Sequence, residues 1–288
     1  SISAEELIEL RTLEQIISSL KSEGTAGAGD KNEPEPVDEE GSAQAEKKYI
    51  PAAHAVTVQR IPKPDRIELT IPASSMALIS GGTVENTRAL ADRFIQKGMK
   101  VGVIHFGKNG KEPAFQSSEI TEYTLETISE GSVSALMDTI QKTEPHLAFY
   151  VHLEPHRAIT DSSQRIEFTN QSENSLKAVF LIARHLKALF NQTQQTTRPA
   201  FLTVTQMDGQ FGLNGCNSSD PLPGGFAGLT KSLRLEWDDI FCRALDFDPT
   251  IASQVMAEKI IDEIYDPDYR LCEIGYTPDD RYTITMKD

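Results

Sequence analysis

"MALISGGTVENTRALADRFIQKGMKVGVIHF", residues 76 to 106, holds a complete strand–helix–strand unit. "MALIS" (76–80) is a short continuous apolar run, the pattern of a strand buried on both faces. "VENTRALADRFIQKG" (84–98) follows as a helix with Gly98 just past its end, where glycine closes a helix in the left-handed region. "KVGVIHF" (100–106) is the next strand. Further along, "EITEYTL" (119–125) reads as a third strand, "GSVSALMDTIQKT" (131–143) as a helix and "HLAFYVHL" (146–153) as a fourth strand. A long helix around 172–190 comes next, then a strand and loop in "AFLTVTQMDG" (200–209) and a helix within "DPLPGGFAGLTKSLRLEW" (220–237). "CRALDFD" (242–248) is a sixth strand, "ASQVMAEKIIDEIY" (252–265) a helix, and "YRLCEIGY" (269–276) and "DRYTITM" (280–286) are terminal strands. Strands alternating with helices of 10 to 15 residues predict an α/β fold with a doubly wound, mainly parallel sheet.

The amino-terminal sixth of the chain reads differently. In "AEELIELRTLEQIISSL" (4–20) the apolar residues Leu7, Leu10, Leu13, Ile16, Ile17 and Leu20 form a one-sided helical stripe that needs a partner. "SEGTAGAGDKNEPEPVDEEGSAQAEKK" (22–48) has almost no large apolar side chain and is expected to be a disordered linker. From Tyr49 short apolar alternations broken by prolines predict an extended strap. The 288 residues carry a formal charge of −15, and about half of that excess lies in the first 48 residues, which hold 12 acids and 5 bases. A net acidic surface argues against nucleic acid or an anionic membrane as partner. No apolar run is long enough to span a bilayer, and the start lacks the basic and apolar regions of a signal peptide. The start reads instead as an internal cut from a longer chain. Three widely spaced cysteines without a CxxC pair fit reduced thiols, which points to a cytoplasmic protein.

In such a fold ligands bind beyond the carboxyl ends of the strands. The first loop there is "SGGTVENTRAL" (80–90). Gly81 and Gly82 supply a turn, but Thr83, Val84, Glu85, Asn86 and Thr87 follow without another glycine. Side chains there block the close approach of a pyrophosphate, and Glu85 puts a carboxylate where phosphates would lie. A tight strand-to-helix turn is therefore expected rather than a cofactor loop. The second loop follows "FLTVTQMDG". A nicotinamide-dependent reductase of the short-chain kind needs a serine there and a tyrosine four residues before a lysine on the next helix, so that the phenol protonates the forming alkoxide. The strand ends instead in Met207-Asp208-Gly209, and Ala227 stands one turn before Lys231. Alanine donates no proton, so Lys231 is expected to be vestigial, a solvated or ion-paired surface residue. His152 and His156 have the spacing of metal ligands on a helix, but Pro155 and the preceding strand oppose that geometry, and no metal site is expected. Asp246 and Asp248 are expected to cap the next turn, and Cys216 has no nucleophile partner.

"FLTVTQMDGQFG", "DPLPGGFAGLTKSLRLEW", "CRALDFDP" and "CEIGY", in this order, resemble the structural subdomain of the ketoreductase of polyunsaturated-fatty-acid and polyketide synthases. The resemblance runs from about residue 49 to the end and implies a truncated, Rossmann-like, short-chain-reductase-like half (core about 74–288) that lacks the Ser-Tyr-Lys set. It implies a catalytic half downstream of Asp288 in the same polypeptide, which binds NADPH and reduces a 3-oxoacyl-carrier thioester. "LIELRTLEQIISSL" is similar to the last helix of an acyl carrier protein, which implies a carrier domain ending at residue 21 and phosphopantetheine on the part upstream. The expected role is architectural, with no cofactor bound by this chain itself. The alternatives are an active NADPH-dependent reductase with unfamiliar residues, or a non-enzymatic docking module for carriers or trans-acting partners.

Overall fold

The computed structural model describes residues 55–72, 75–107, 115, 117–144, 146–156, 170–193, 197–214 and 222–287. The expected carrier helix (1–21), the linker (22–48), the start of the strap and Cys216 lie outside these residues. The elements run β1 (Ala55–Ile61), β2 (Met76–Gly81), α1 (Val84–Gln96), β3 (Lys100–Phe106), β4 (Ile120–Leu125), α2 (Glu130–Thr143), β5 (Leu147–Leu153), α3 (Asn170–Thr193), β6 (Ala200–Thr205), α4 (Gly224–Glu236), β7 (Phe241–Phe247), α5 (Ser253–Tyr265), β8 (Glu273–Tyr276) and β9 (Arg281–Lys287). They form one nine-stranded sheet in the order β1-β9-β8-β7-β6-β5-β2-β3-β4. Strands β2 to β8 are parallel, while β9 pairs antiparallel with both β8 and β1. The strand order reverses between β2 and β5, which makes that junction the topological switch point.

The central parallel strands β2 and β5 to β7 are buried almost throughout and mostly apolar because helices cover both faces. On one face Leu90 and Phe94 of α1, with Met256, Ile260 and Ile264 of α5, pack on Ile79, Val103, Val151 and Val204. On the other, Val133 and Met137 of α2, Val179 and Ile182 of α3, and Phe226 and Leu233 of α4 pack on Leu78, Ile104, Tyr150 and Phe201. Thr83 caps α1 by accepting from Asn86 N, and Ser129 and Ser132 form a reciprocal capping box on α2. The fold is thus a doubly wound, Rossmann-like α/β sheet, as the alternation of elements predicts. Two details depart from the reading of the sequence. Leu235, which the helix over 220–237 would carry with the apolar residues Leu229 and Leu233, is 82% exposed. The strand expected over 269–276 is confined to 273–276, because the chain before it turns to supply the Asp268 and Leu271 carbonyls to the buried Arg243.

Arg243 belongs with Arg281 to a buried charge cluster that ties the carboxyl end of α5 to β7 and β9. Arg243 donates to Glu263 and to Asp266 (2.9 Å), and Arg281 donates to Glu263 (2.7 and 3.0 Å) and Asp266 (2.7 Å). Arg281 also donates to the Pro62 carbonyl at 2.9 Å, which fixes the strap after β1 to the same point. Burial, and then the Glu263 carboxylate, push the Tyr276 hydroxyl well above the ordinary tyrosine range, so it stays a donor to Glu263.

Candidate functional site

The place where this fold takes a ligand is the crevice outside the carboxyl ends of β2 and β5. Gly81 and Gly82 make the turn there with positive φ (70° and 81°), as a strand-to-helix turn of this kind requires. Their bare faces, however, are met by the chain itself. A Cβ on Gly81 would lie 2.4 Å from the Leu153 carbonyl oxygen, and one on Gly82 would lie 2.7 Å from Thr87 Oγ1. Thr87 Oγ1 donates to the Gly81 carbonyl at 3.1 Å, and Glu85 is exposed on the first turn of α1. The close approach that glycines give a pyrophosphate is here given to Leu153 of β5 and to Thr87 of α1.

Side chains close the crevice further along. Asn86 Nδ2 donates to Gln206 Oε1 at 3.0 Å, and Ser253 Oγ donates to Asn86 Oδ1 at 2.6 Å. Asn86 therefore ties α1 to the end of β6 and to the start of α5 across the top of the sheet. His156 Nδ1 lies 2.7 Å from the Gln206 carbonyl oxygen, so it donates to that same end. Below the glycine turn runs a buried polar chain. Ser80 Oγ lies 2.7 Å from Tyr150 OH and 3.0 Å from His152 Nδ1, His152 Nε2 lies 3.2 Å from Glu154 Oε2, and Ser175 Oγ donates to Glu154 Oε2 at 2.9 Å. Phe106 stacks on the His152 ring and Phe226 packs against it at a tilt. Ser80 and His152 are fully buried, and this serine–histidine–glutamate series satisfies polar groups inside the sheet. The sequence offered one signal of it: Tyr150, His152 and Glu154 alternate within an otherwise apolar run, and buried polar side chains need partners.

The segment after β6, where a reductase would carry its serine, is folded down by two aspartates. Asp246 Oδ1 accepts from Thr205 Oγ1 and Met207 N (both 2.8 Å), and Oδ2 accepts from Phe211 N at 2.9 Å. Asp208 accepts from Gln210 N (2.7 Å) and Gly212 N (2.8 Å). Burial pushes the Asp246 carboxyl up to about 6, against the lowering effect of these donors. Asp246 therefore organises the segment after β6 rather than capping the turn after its own strand, while Asp248 does cap its turn by accepting from Thr250 N at 2.8 Å.

On α4, Ala227 is buried and Lys231 points away from the crevice. Its ammonium is 3.2 Å from Glu273 Oε1 at the amino-terminal end of β8, and its side chain is 51% exposed. β8 stands three strands from β5 in the sheet, so Lys231 is not brought together with Gly81, Gly82 or Glu85. His152 and His156 are separated by the end of β5 and share no ligand position. Among the described residues no group of three or more His, Cys, Asp or Glu side chains could hold a metal ion, and no helix is long and apolar enough to cross a membrane.

This architecture is similar in fold to solved short-chain dehydrogenases and to a ketoreductase-containing module. The fold is similar to a 3-ketoacyl-(acyl-carrier-protein) reductase from Brucella melitensis solved with NADH (TM-score 0.56, 17% identity, 67% of this chain and 91% of that one). It is also similar to a multidomain structure holding the adenylation, ketoreductase and pseudo Asub domains of a keto acid-selecting NRPS module (TM-score 0.59, 15% identity, 84% of this chain and 19% of that one). A short chain dehydrogenase from Bacillus anthracis matches with TM-score 0.52 at 12% identity, over 66% of this chain and 88% of that one. At these identities the likeness is one of fold. In sequence, 101 residues, 33% of this chain, are 31% identical to one of the subunits of the polyunsaturated fatty acid synthase of Thraustochytrium sp. (strain ATCC 26185 / S-3). The chain spans about 4% of that protein's length. No family model matches the chain.

Proposed function

We propose that residues 49–288 are the structural, non-catalytic half of a ketoreductase region in a polyunsaturated-fatty-acid or polyketide synthase, and that they brace an NADPH-dependent 3-oxoacyl-carrier reductase half in the same polypeptide. In this reading residues 1–21 are the last helix of an acyl carrier domain and residues 22–48 the linker that lets the carrier swing. The observation that carries the proposal is the closed crevice. Leu153 occupies the space against the glycine turn, Asn86 bridges α1 to Gln206 and Ser253, and Lys231 is held by Glu273. A reductase needs that space for its cofactor and a proton donor beside it. Ala227 supplies no proton, and Tyr150, the tyrosine under the crevice, is buried with its hydroxyl against Ser80 and pushed up by burial well above its ordinary range. The similarity of 101 residues to part of a polyunsaturated fatty acid synthase supports the setting. Calorimetric titration of the chain with NADPH tests the reading: no saturable heat is expected, and saturable binding at micromolar NADPH would overturn it.

A further inference from the structure

A second cleft lies on the helical face formed by α1 and α5, away from the crevice. It has a volume of about 340 Å³ and is lined by Arg66, Arg93, Gln96, Lys97, Glu258 and Asp262. Three cations converge on it from two separate parts of the chain. Arg93 and Lys97 come from the last turn and cap of α1, while Arg66 comes from the strap that follows β1. The ring of Tyr265 gathers two of them: the Arg66 guanidinium lies 4.9 Å and Lys97 Nζ 4.7 Å from its centroid.

Two carboxylates, Asp262 and Glu258, line the same cleft and each pairs with one arginine, which leaves one of the three cations in excess. Arg66 lies 3.7 Å from Asp262 and Arg93 lies 3.7 Å from Glu258, both beyond hydrogen-bond reach. Among the described residues Lys97 has no carboxylate within ion-pairing distance. Cations in the last turn of α1 complement the helix dipole, but that does not account for a third, delivered by the strap onto the same aromatic ring. Burial holds the Lys97 ammonium below the ordinary lysine range, with the Arg66 charge adding to the effect and Asp262 opposing it.

We infer that this cleft is a binding site for a phosphoryl group, inorganic phosphate or the phosphate of a small phosphomonoester. A tetrahedral dianion presents oxygens in several directions and accepts from guanidinium and ammonium donors at once. A single carboxylate, planar and singly charged, is satisfied by one arginine. The volume lies within the range of small-ligand sites and leaves room for an organic group behind the phosphate. The chain as a whole is acidic, so affinity comes from these local donors and not from long-range attraction. Such a site is independent of the role proposed for the chain as part of a synthase.

The test is a titration of the full-length ¹⁵N-labelled chain with inorganic phosphate, and separately with glycerol 3-phosphate, at constant ionic strength, with sodium chloride and acetate as controls. Saturable amide shifts are expected at the end of α1 and around Arg66. The dissociation constant should rise about tenfold or more in Lys97→Gln and in Arg66→Gln, as loss of a charge-assisted donor implies. Lys100→Gln, whose partner is Glu144 outside the cleft, should bind as the parent does. Equal affinity for the two probes identifies the free anion as the ligand, and tighter binding of glycerol 3-phosphate identifies a phosphomonoester. Shifts that do not saturate, that chloride reproduces, or that survive both cleft substitutions would overturn the site.

Discussion

Replacing Glu263 by Gln tests what holds the carboxyl end of α5 to the sheet. Both oxygens of Glu263 are used: Oε1 accepts from Arg281 Nε at 2.7 Å and from the Tyr276 hydroxyl, and Oε2 accepts from Arg281 Nη2 at 3.0 Å and from Arg243. Two cations face two anions, Glu263 and Asp266, and all four residues are buried. Glutamine keeps the shape but removes one negative charge and points an N–H₂ at arginine donors. Two buried guanidinium groups are then left with Asp266 alone. Breaking a buried pair in this way costs about 3–5 kcal/mol, a large part of the roughly 5–15 kcal/mol that stabilises a domain. For a domain of this size that lowers the melting temperature by about 10 °C. The assay is urea unfolding followed by circular dichroism, with the slope of the transition checked for constancy. Lys100→Gln, which removes the partner of Glu144 at the surface, serves as the comparison and should cost less than about 1 kcal/mol. Adding Arg243→Met to Glu263→Gln should recover part of the loss, because charge balance returns. A loss below about 1 kcal/mol for Glu263→Gln with an unchanged slope would refute the reasoning.

Three further outcomes follow from the same geometry. Asp246 titrates near 6 in the folded chain, above its ordinary value of 3.8, so between these values the folded state binds the extra proton. This group's contribution to stability is therefore present in full below pH 4 and is lost as the pH rises to 6, by about 3 kcal/mol. Unfolding of Asp246→Asn across that window should lack this slope, and an unaltered slope would assign it elsewhere. Gly209→Ala should destabilise the domain by roughly 2–4 kcal/mol, since φ is 73° and the new Cβ would sit 2.2 Å from the Tyr276 carbonyl oxygen; thermal melts read this directly. Lys231→Ala removes an exposed ion pair with Glu273 and should change the melting temperature little. In a polypeptide extended by a reductase half it should also leave turnover nearly unchanged, and a drop of orders of magnitude in a folded variant would make this half catalytic.

The sequence by itself determined the elements. β3 is found at the residues read for it, and β2, α1, α2 and β5 to β7 begin and end within a few residues of their predicted bounds, because each carries its own signal. A strand buried on both faces is an unbroken apolar run, and a helix shows its period and its caps within a dozen residues. The missing glycines after Gly82 and the alanine at position 227 were legible for the same reason. Only the tertiary structure decided which distant residues meet. β1 finds its partner β9 from the other end of the chain, Asn86 reaches Gln206 and Ser253, and Lys231 takes Glu273. Asp246, readable as a turn cap, binds the backbone after another strand, and Arg243, Glu263, Asp266 and Arg281 look in sequence like surface charges yet form one buried cluster. Periodicity reports the face a residue turns toward the core. What a polar group meets there depends on how the strands are ordered in the sheet, and that order is fixed by long-range pairing.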